Sequence, residues 1–350
     1  LISGGTANLT AGTINIYGMF GDTPNTSYDA VEIASAATLN SNANHTLVLN
    51  AGATSSDEDI YLNVDGELGS LTISNDSYTV YSRKDIDLKG DLTISSGTTL
   101  DTETSSKDIN LEGSLSTSGT LEASSRTITF DGDGSVTCSA LSDNTTNVVV
   151  SKTSSGDVTF NSTNTVNQFS ITTASTAFFP ASSTFTANGS TTLTNGTLDI
   201  ASSAVYDADD AFDASGGNVT FSGAGTLKVS HSTIASFGVL TTTAGTVEFD
   251  GAGQEVPSDT YFNIEVDGSG TKSLADNITV KGDITLTNGE LDFNGNKNLN
   301  LIGDMTKTLG ALVNNGSSNG YLILKATSSQ NASHSICGFT ADNVSIKKMN

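Results

Sequence analysis

The chain reads as all-β, a solenoid whose irregular coils of 19 to 28 residues stack as parallel strands. Three observations lead there. Short apolar-x-apolar triplets recur from end to end, among them INI, LVL, ITF, VTF, VEF, ITL, LNL and LIL. They return at short, unequal spacings, each soon followed by glycine. Helical periodicity is absent, since no window of about 11 residues sets apolar side chains at i, i+3, i+4 and i+7.

Composition supports each point. Of 350 residues, 15% are charged, well below the roughly 25% of an average domain. Ser, Thr, Gly, Asn and Asp dominate, and a disordered chain of that composition would lack the regular apolar residues. Thr, Val, Ile and Phe fill the apolar or β-branched positions and suit a pleated surface. The formal net charge of −24 argues against nucleic acid or an anionic membrane as partner, because either would be repelled. No apolar stretch approaches the roughly 18 residues of a membrane span.

The repeat is plainest near residue 100. RKDIDLKGDLTI, from Arg83, returns as SKDINLEGSLST, from Ser106, at an offset of 23. Ile86 matches Ile109, Leu88 matches Leu111, and Leu92 matches Leu115. Asp59-Ile60-Tyr61-Leu62 precedes the first copy by 26, and Thr127-Ile128-Thr129-Phe130 follows the second by 19. Near the C-terminus NITVKGDIT, from Asn277, returns as NLNLIGDMT, from Asn298, at an offset of 21. Such units cannot bury an apolar row alone but do so when stacked. Coils of about 22 residues would make roughly 14 to 16 turns at the usual strand spacing of about 4.8 Å. The expected layout is one elongated solenoid over 1–350, less regular over 1–56, with an acidic loop inserted near 205–217. A string of β-sandwich domains is the alternative architecture.

One stretch tests the two readings. GDITLTNGELDFNG, Gly282 to Gly295, carries Asn288-Gly289 between alternating runs, which alone signals an antiparallel hairpin. Its copies are GSTTLTNGTLDI from Gly189, at an offset of 93, and more loosely GDLTISSGTTLD from Gly90. The recurrence favours a corner between successive strands of one coil, with Asn and Gly supplying the bend.

The segment from Gly245 to Asp304 resembles the β-strand-rich repeats of large secreted microbial surface proteins. Thr246-Val247-Glu248-Phe249-Asp250-Gly251, Gln254 and the run Ile278 to Phe293 carry the likeness. The resemblance implies a right-handed parallel β-helix, as in filamentous-haemagglutinin-like adhesins and autotransporter passengers, and a cell-surface setting. It implies no catalytic residue.

Little in the sequence looks like reaction chemistry. A sugar-cleaving β-helix needs an Arg or Lys base and clustered carboxylates in one groove. This chain has two Arg, Arg83 and Arg126, in regular repeat positions, and no Trp platform. His45, His231 and His334 are isolated, without zinc spacing. The most suggestive acidic cluster is VYDADDAFDASGG, where Asp207, Asp209, Asp210 and Asp213 are candidate calcium ligands on a loop. A second is Asp57-Glu58-Asp59. Neither follows an EF-hand or nonapeptide calcium pattern, and a solvated loop is the plain reading. No other cofactor is expected. Cys138 and Cys337 form a disulfide or remain two buried thiols.

The first 21 residues carry no charge, and strand-like runs stand at Ile2 to Tyr17 and around Ile346. Starting at Leu1 without a signal peptide, the chain reads as a mature or excised piece of a secreted protein. The expected function is a non-catalytic extracellular structural protein. It would be a subunit of a cell-surface filament, surface layer or adhesin rod, self-associating through its strand-like ends and facing a cell-surface or carbohydrate target. The alternative is a carbohydrate-binding or polysaccharide-cleaving β-helix.

Overall fold

A computed structural model describes residues 5–16, 28–33, 37–50, 60–74, 79–153, 156–325 and 344–349. Among them there is no helix, and stacked parallel strands form a β-solenoid of about 13 turns. The chain divides into two compact units, Leu1–Ala177 and Phe178–Asn350.

In the first unit three ladders make three faces. One runs Gly12–Ile16, His45–Leu49, Ser70–Ile73, Leu92–Ile94, Leu115–Thr117, Val136–Cys138, Asp157–Phe160. A second runs Tyr28–Ile33, Ile60–Val64, Thr79–Ser82, Thr99–Asp101, Thr120–Glu122. The third runs Ile86–Leu88, Ile109–Leu111, Thr127–Phe130, Asn147–Val150, Phe169–Ile171. Period-two alternation turns every second side chain inward. Ile14, Leu47, Leu71, Leu92, Leu115, Cys138 and Phe160 therefore stack in one interior row.

The second unit is built likewise. Its longest ladder joins Thr184–Ala187, Val205–Ala208, Thr226–Val229, Thr246–Phe249, Asn263–Val266, Ile284–Leu286 and Met305–Lys307. A second ladder joins Gln254–Val256, Thr271–Leu274, Glu290–Asp292 and Ala311–Val313. A third joins Thr260–Tyr261, Ile278–Val280, Asn298–Leu301, Gly320–Lys325 and Val344–Met349. Phe185 stacks on Tyr206, ring centroids 5.2 Å apart and 9° from parallel, inside this stack. Phe237, Phe249 and Tyr261 form an edge-to-face cluster at 6.1 to 6.3 Å.

Among the described residues the registered strand pairs are parallel, which excludes antiparallel sandwiches as the arrangement of those strands. The repeat offsets become stacking registers. Ile86 pairs with Ile109, Ile109 with Ile128, Leu92 with Leu115, Ile278 with Leu299 and Val280 with Leu301. The 26-residue offset does not: Ile60 stacks on Val80, because Ile60–Val64 lies on a different face from Ile86–Leu88. Coil lengths also exceed the expected 19 to 28. Gly12 pairs with His45 and Gly5 with Ala37, while Thr246 pairs with Asn263 only 17 positions on. The described strands form about 13 turns where 14 to 16 were expected.

The Asn288-Gly289 stretch is a corner. Ile284–Leu286 pairs with Asn263–Val266 below and Met305–Lys307 above. Glu290–Asp292 pairs with Thr271–Leu274 and Ala311–Val313, so Leu286 and Leu291 belong to different faces. Gly289 takes φ +70, and its copies Gly196 and Gly97 take +74 and +81. An added Cβ at Gly289 would meet Gly268 O at 2.6 Å, so the corner of the coil beneath also demands glycine. The 93-residue copies occupy different ladders, so that offset marks a reused corner and not a stacking repeat.

The expected acidic loop at 205–217 is instead regular coil. Val205–Ala208 and Phe212–Asp213 are strands, because Tyr206, Ala208 and Phe212 all turn inward and are buried.

Candidate functional site

The alternation that buries Tyr206 and Ala208 turns Asp207 outward. Tyr206 anchors the strand through a 2.8 Å hydrogen bond between its hydroxyl and Thr191 Oγ1. Register then sets Asp207 against Lys228, Lys228 against Glu248, and Glu248 against Glu265. Two residues on, the backbone N–H groups of Asp209, Ser230, Asp250 and Asp267 each reach the preceding coil, to Ala187, Ala208, Val229 and Phe249. These positions form a second outward row. Six carboxylates thus occupy four successive rungs, with Lys228 the cation in their rows.

Lys228 Nζ donates to Glu248 Oε1 at 2.6 Å. Burial pulls the Lys228 amine down, but the hydrogen bond and charge of Glu248 outweigh it and raise the amine. Glu248, with a side chain only 7% exposed, is pushed up by burial more than Lys228 pulls it down. Both groups shift upward, which favours the charged amine but not the charged carboxylate, because the carboxylate is the deeper partner and carries most of the desolvation. Asp207 is pushed up to about 6 by burial, then by the charges of Asp209 and Asp250, against the pull of Lys228. Burial also raises Asp250. One oxygen of each, Asp207 Oδ1 and Asp250 Oδ1, is out of contact with solvent and has no hydrogen-bond donor.

The four aspartates read as calcium ligands do not converge. Asp207 and Asp209 face the ladder just described. Asp210 Oδ1 lies 3.7 Å from His231 Nε2. Asp213, in the strand Phe212–Asp213, accepts from Ser215 N at 2.9 Å. Among the described residues no group of three or more His, Cys, Asp or Glu is placed to hold a metal ion. Asp57-Glu58-Asp59, His334 and Cys337 lie outside the described residues. Cys138 is a free, buried thiol, which burial holds far above its ordinary range.

Sequence reasoning missed Lys228, Glu248, Asp250, Glu265 and Asp267 as one group. The signal was present: VYDAD, TLKVS, TVEFD and NIEVD, written in coil register, align their third and fifth residues as these two rows. A second outward feature lies in the first unit. The rings of Tyr61 and Tyr81 stack at 5.4 Å, and Arg83 stands 4.0 Å over the Tyr61 ring.

Comparison with known proteins finds no matching family, no similar curated protein and no similar solved structure. The fold alone defines the class: a parallel β-solenoid repeat protein.

Proposed function

We propose that this chain is a non-catalytic extracellular structural protein, a segment of a cell-surface filament, surface layer or adhesin rod that associates through open ladder edges. One observation carries the reading. Gly12–Ile16 has a neighbour on one side only among the described strands, and it carries no charged residue to blunt that edge. Ile14, the outermost member of an otherwise buried row, is 41% exposed there. Val344–Met349 likewise pairs on one side only. A parallel edge strand accepts a further parallel strand, and a second copy supplies one.

Sedimentation velocity against concentration, with negative-stain microscopy, tests this. Wild type forms growing species and fibres, while Ile14→Lys stays monomeric. Monomers at every concentration sink the proposal.

The carbohydrate-binding reading rests on the outward Tyr61–Tyr81 pair and Arg83, planar groups of the kind that stack on sugars. Glycan binding lost in Tyr81→Ala would support it.

A further inference from the structure

His45 opens the strand His45–Leu49, directly inside Gly12–Ile16, and turns inward. It is 2% exposed, yet neither ring nitrogen has a hydrogen-bond partner. Glycines flank it along the stack. Gly12 pairs with it on one side, and on the other Gly69 precedes Ser70, the partner of Thr46. An added Cβ at Gly69 would come within 2.2 Å of His45 O, so the backbones close tightly around this position.

The turn before His45 also holds the outer strand. His45 N donates to Asn42 O at 3.1 Å, and Gly12 N donates to Asn44 O at 3.2 Å. The carbonyl that fastens Gly12 thus belongs to the peptide bond that leads into His45.

Among the described residues no counter-charge awaits a second proton. The strands Gly12–Ile16 and Ser70–Ile73 and the turn Asn42–Asn44 carry no charged residue. In the coils stacked next, Asp65 pairs with Lys84 at 3.2 Å and Glu67 with Lys89 at 2.8 Å on the outside. Asp87 and Asp91 face outward, to Asn110 and Ser114. Burial alone lowers His45 below its ordinary value of 6.5.

We propose that His45 is an acid-released latch: neutral, it seats the outermost rung Gly12–Ile16, and protonated, it frees that rung and with it the assembly edge. The link to assembly rests on the function proposed above, whereas the release of the rung does not. The sign follows from linkage. A histidine depressed in the folded state contributes stability that is fully present above 6.5 and is lost as pH falls below it.

Hydrogen exchange at a concentration where the chain is monomeric, corrected for intrinsic rates, reads the latch directly. From pH 7.5 to 5.0, protection over 12–16 and 45–49 falls by up to about 30-fold if the imidazole stays neutral in the seated rung. Protection over 109–111 does not fall. His45→Gln and His45→Phe, either of which suffices, abolish the pH effect. Equal protection at both pH values, or the same fall in a folded variant, overturns the latch. Sedimentation of the same samples reads the edge. If wild type never assembles, the proposed function fails while the exchange result still decides the latch. If wild type assembles, it dissociates reversibly at pH 5.0 and the variants do not.

Discussion

Lys228 and Glu248 form the closest ion pair of the outward ladder, 2.6 Å apart on adjacent rungs of one row. The carboxylate is nearly buried and the amine is 29% exposed. The pair itself is close to break-even, since desolvation offsets much of the attraction. Losing one partner is different. Lys228→Met leaves Glu248 buried near Asp250 and Glu265 without its cation. Thermal unfolding at pH 7.5 should show a loss of about 1–3 kcal/mol, shrinking at pH 5 as the carboxylates take up protons.

Burial pushes Asp207 up to about 6, so between its ordinary value of 3.8 and about 6 the folded state holds a proton that the unfolded state releases. Its contribution is greatest in acid and is lost as pH rises through about 6. Denaturant unfolding of the second unit should therefore give a higher midpoint at pH 5 than at pH 7.5. Asp207→Asn, which mimics the protonated group, should raise the midpoint at pH 7.5 and flatten the pH dependence. An unchanged slope in that variant would sink the idea.

Gly289 and Gly295 separate two reasons for glycine. Both have positive φ, +70 and +90. An added Cβ at Gly289 would stand 2.6 Å from Gly268 O and 2.8 Å from Gly270 O, but at Gly295 it would meet nothing within 4 Å. Gly295→Ala should cost about 1–2 kcal/mol, the backbone term alone. Gly289→Ala should cost more, with the excess measuring how tightly successive corners nest. Calorimetric midpoints of the two variants settle the order.

Tyr206 and Thr191 are both fully buried and hydrogen-bonded at 2.8 Å. Tyr206→Phe keeps the ring stacked on Phe185 but strands the Thr191 hydroxyl. A loss of about 1–2 kcal/mol is expected, recovered in part by Thr191→Val in the same chain. Chemical denaturation of the single and double variants measures the coupling.

The interior was legible because like inward side chains stack in register, so Ile86 over Ile109 and Ile278 over Leu299 are visible as sequence similarity. The corner at Asn288-Gly289 was legible from its recurrence, not from its own residues, which alone spell a hairpin. Ile60 misled because Ile60-Tyr61-Leu62 has the look of Ile86-Asp87-Leu88 while lying on another face. Asp207 misled because four aspartates in seven residues resemble a loop; the inward anchors Tyr206, Ala208 and Phe212 overrule them. The outward ladder was hidden because stacking there joins unlike residues, Asp207 to Lys228 to Glu248. His45 gave no warning, since its burial follows from glycines 33 residues before and 24 after it.

The short registers have a kinetic consequence. Ile109 meets its two partners, Ile86 and Ile128, 23 and 19 positions away, and comparable steps recur through the described ladders. Closing each turn then costs the entropy of a short loop, however long the finished stack. A completed turn presents a template for the next, so folding can advance as a zipper from either neighbour. Ordering can follow the chain as it emerges, one turn behind the newest residues.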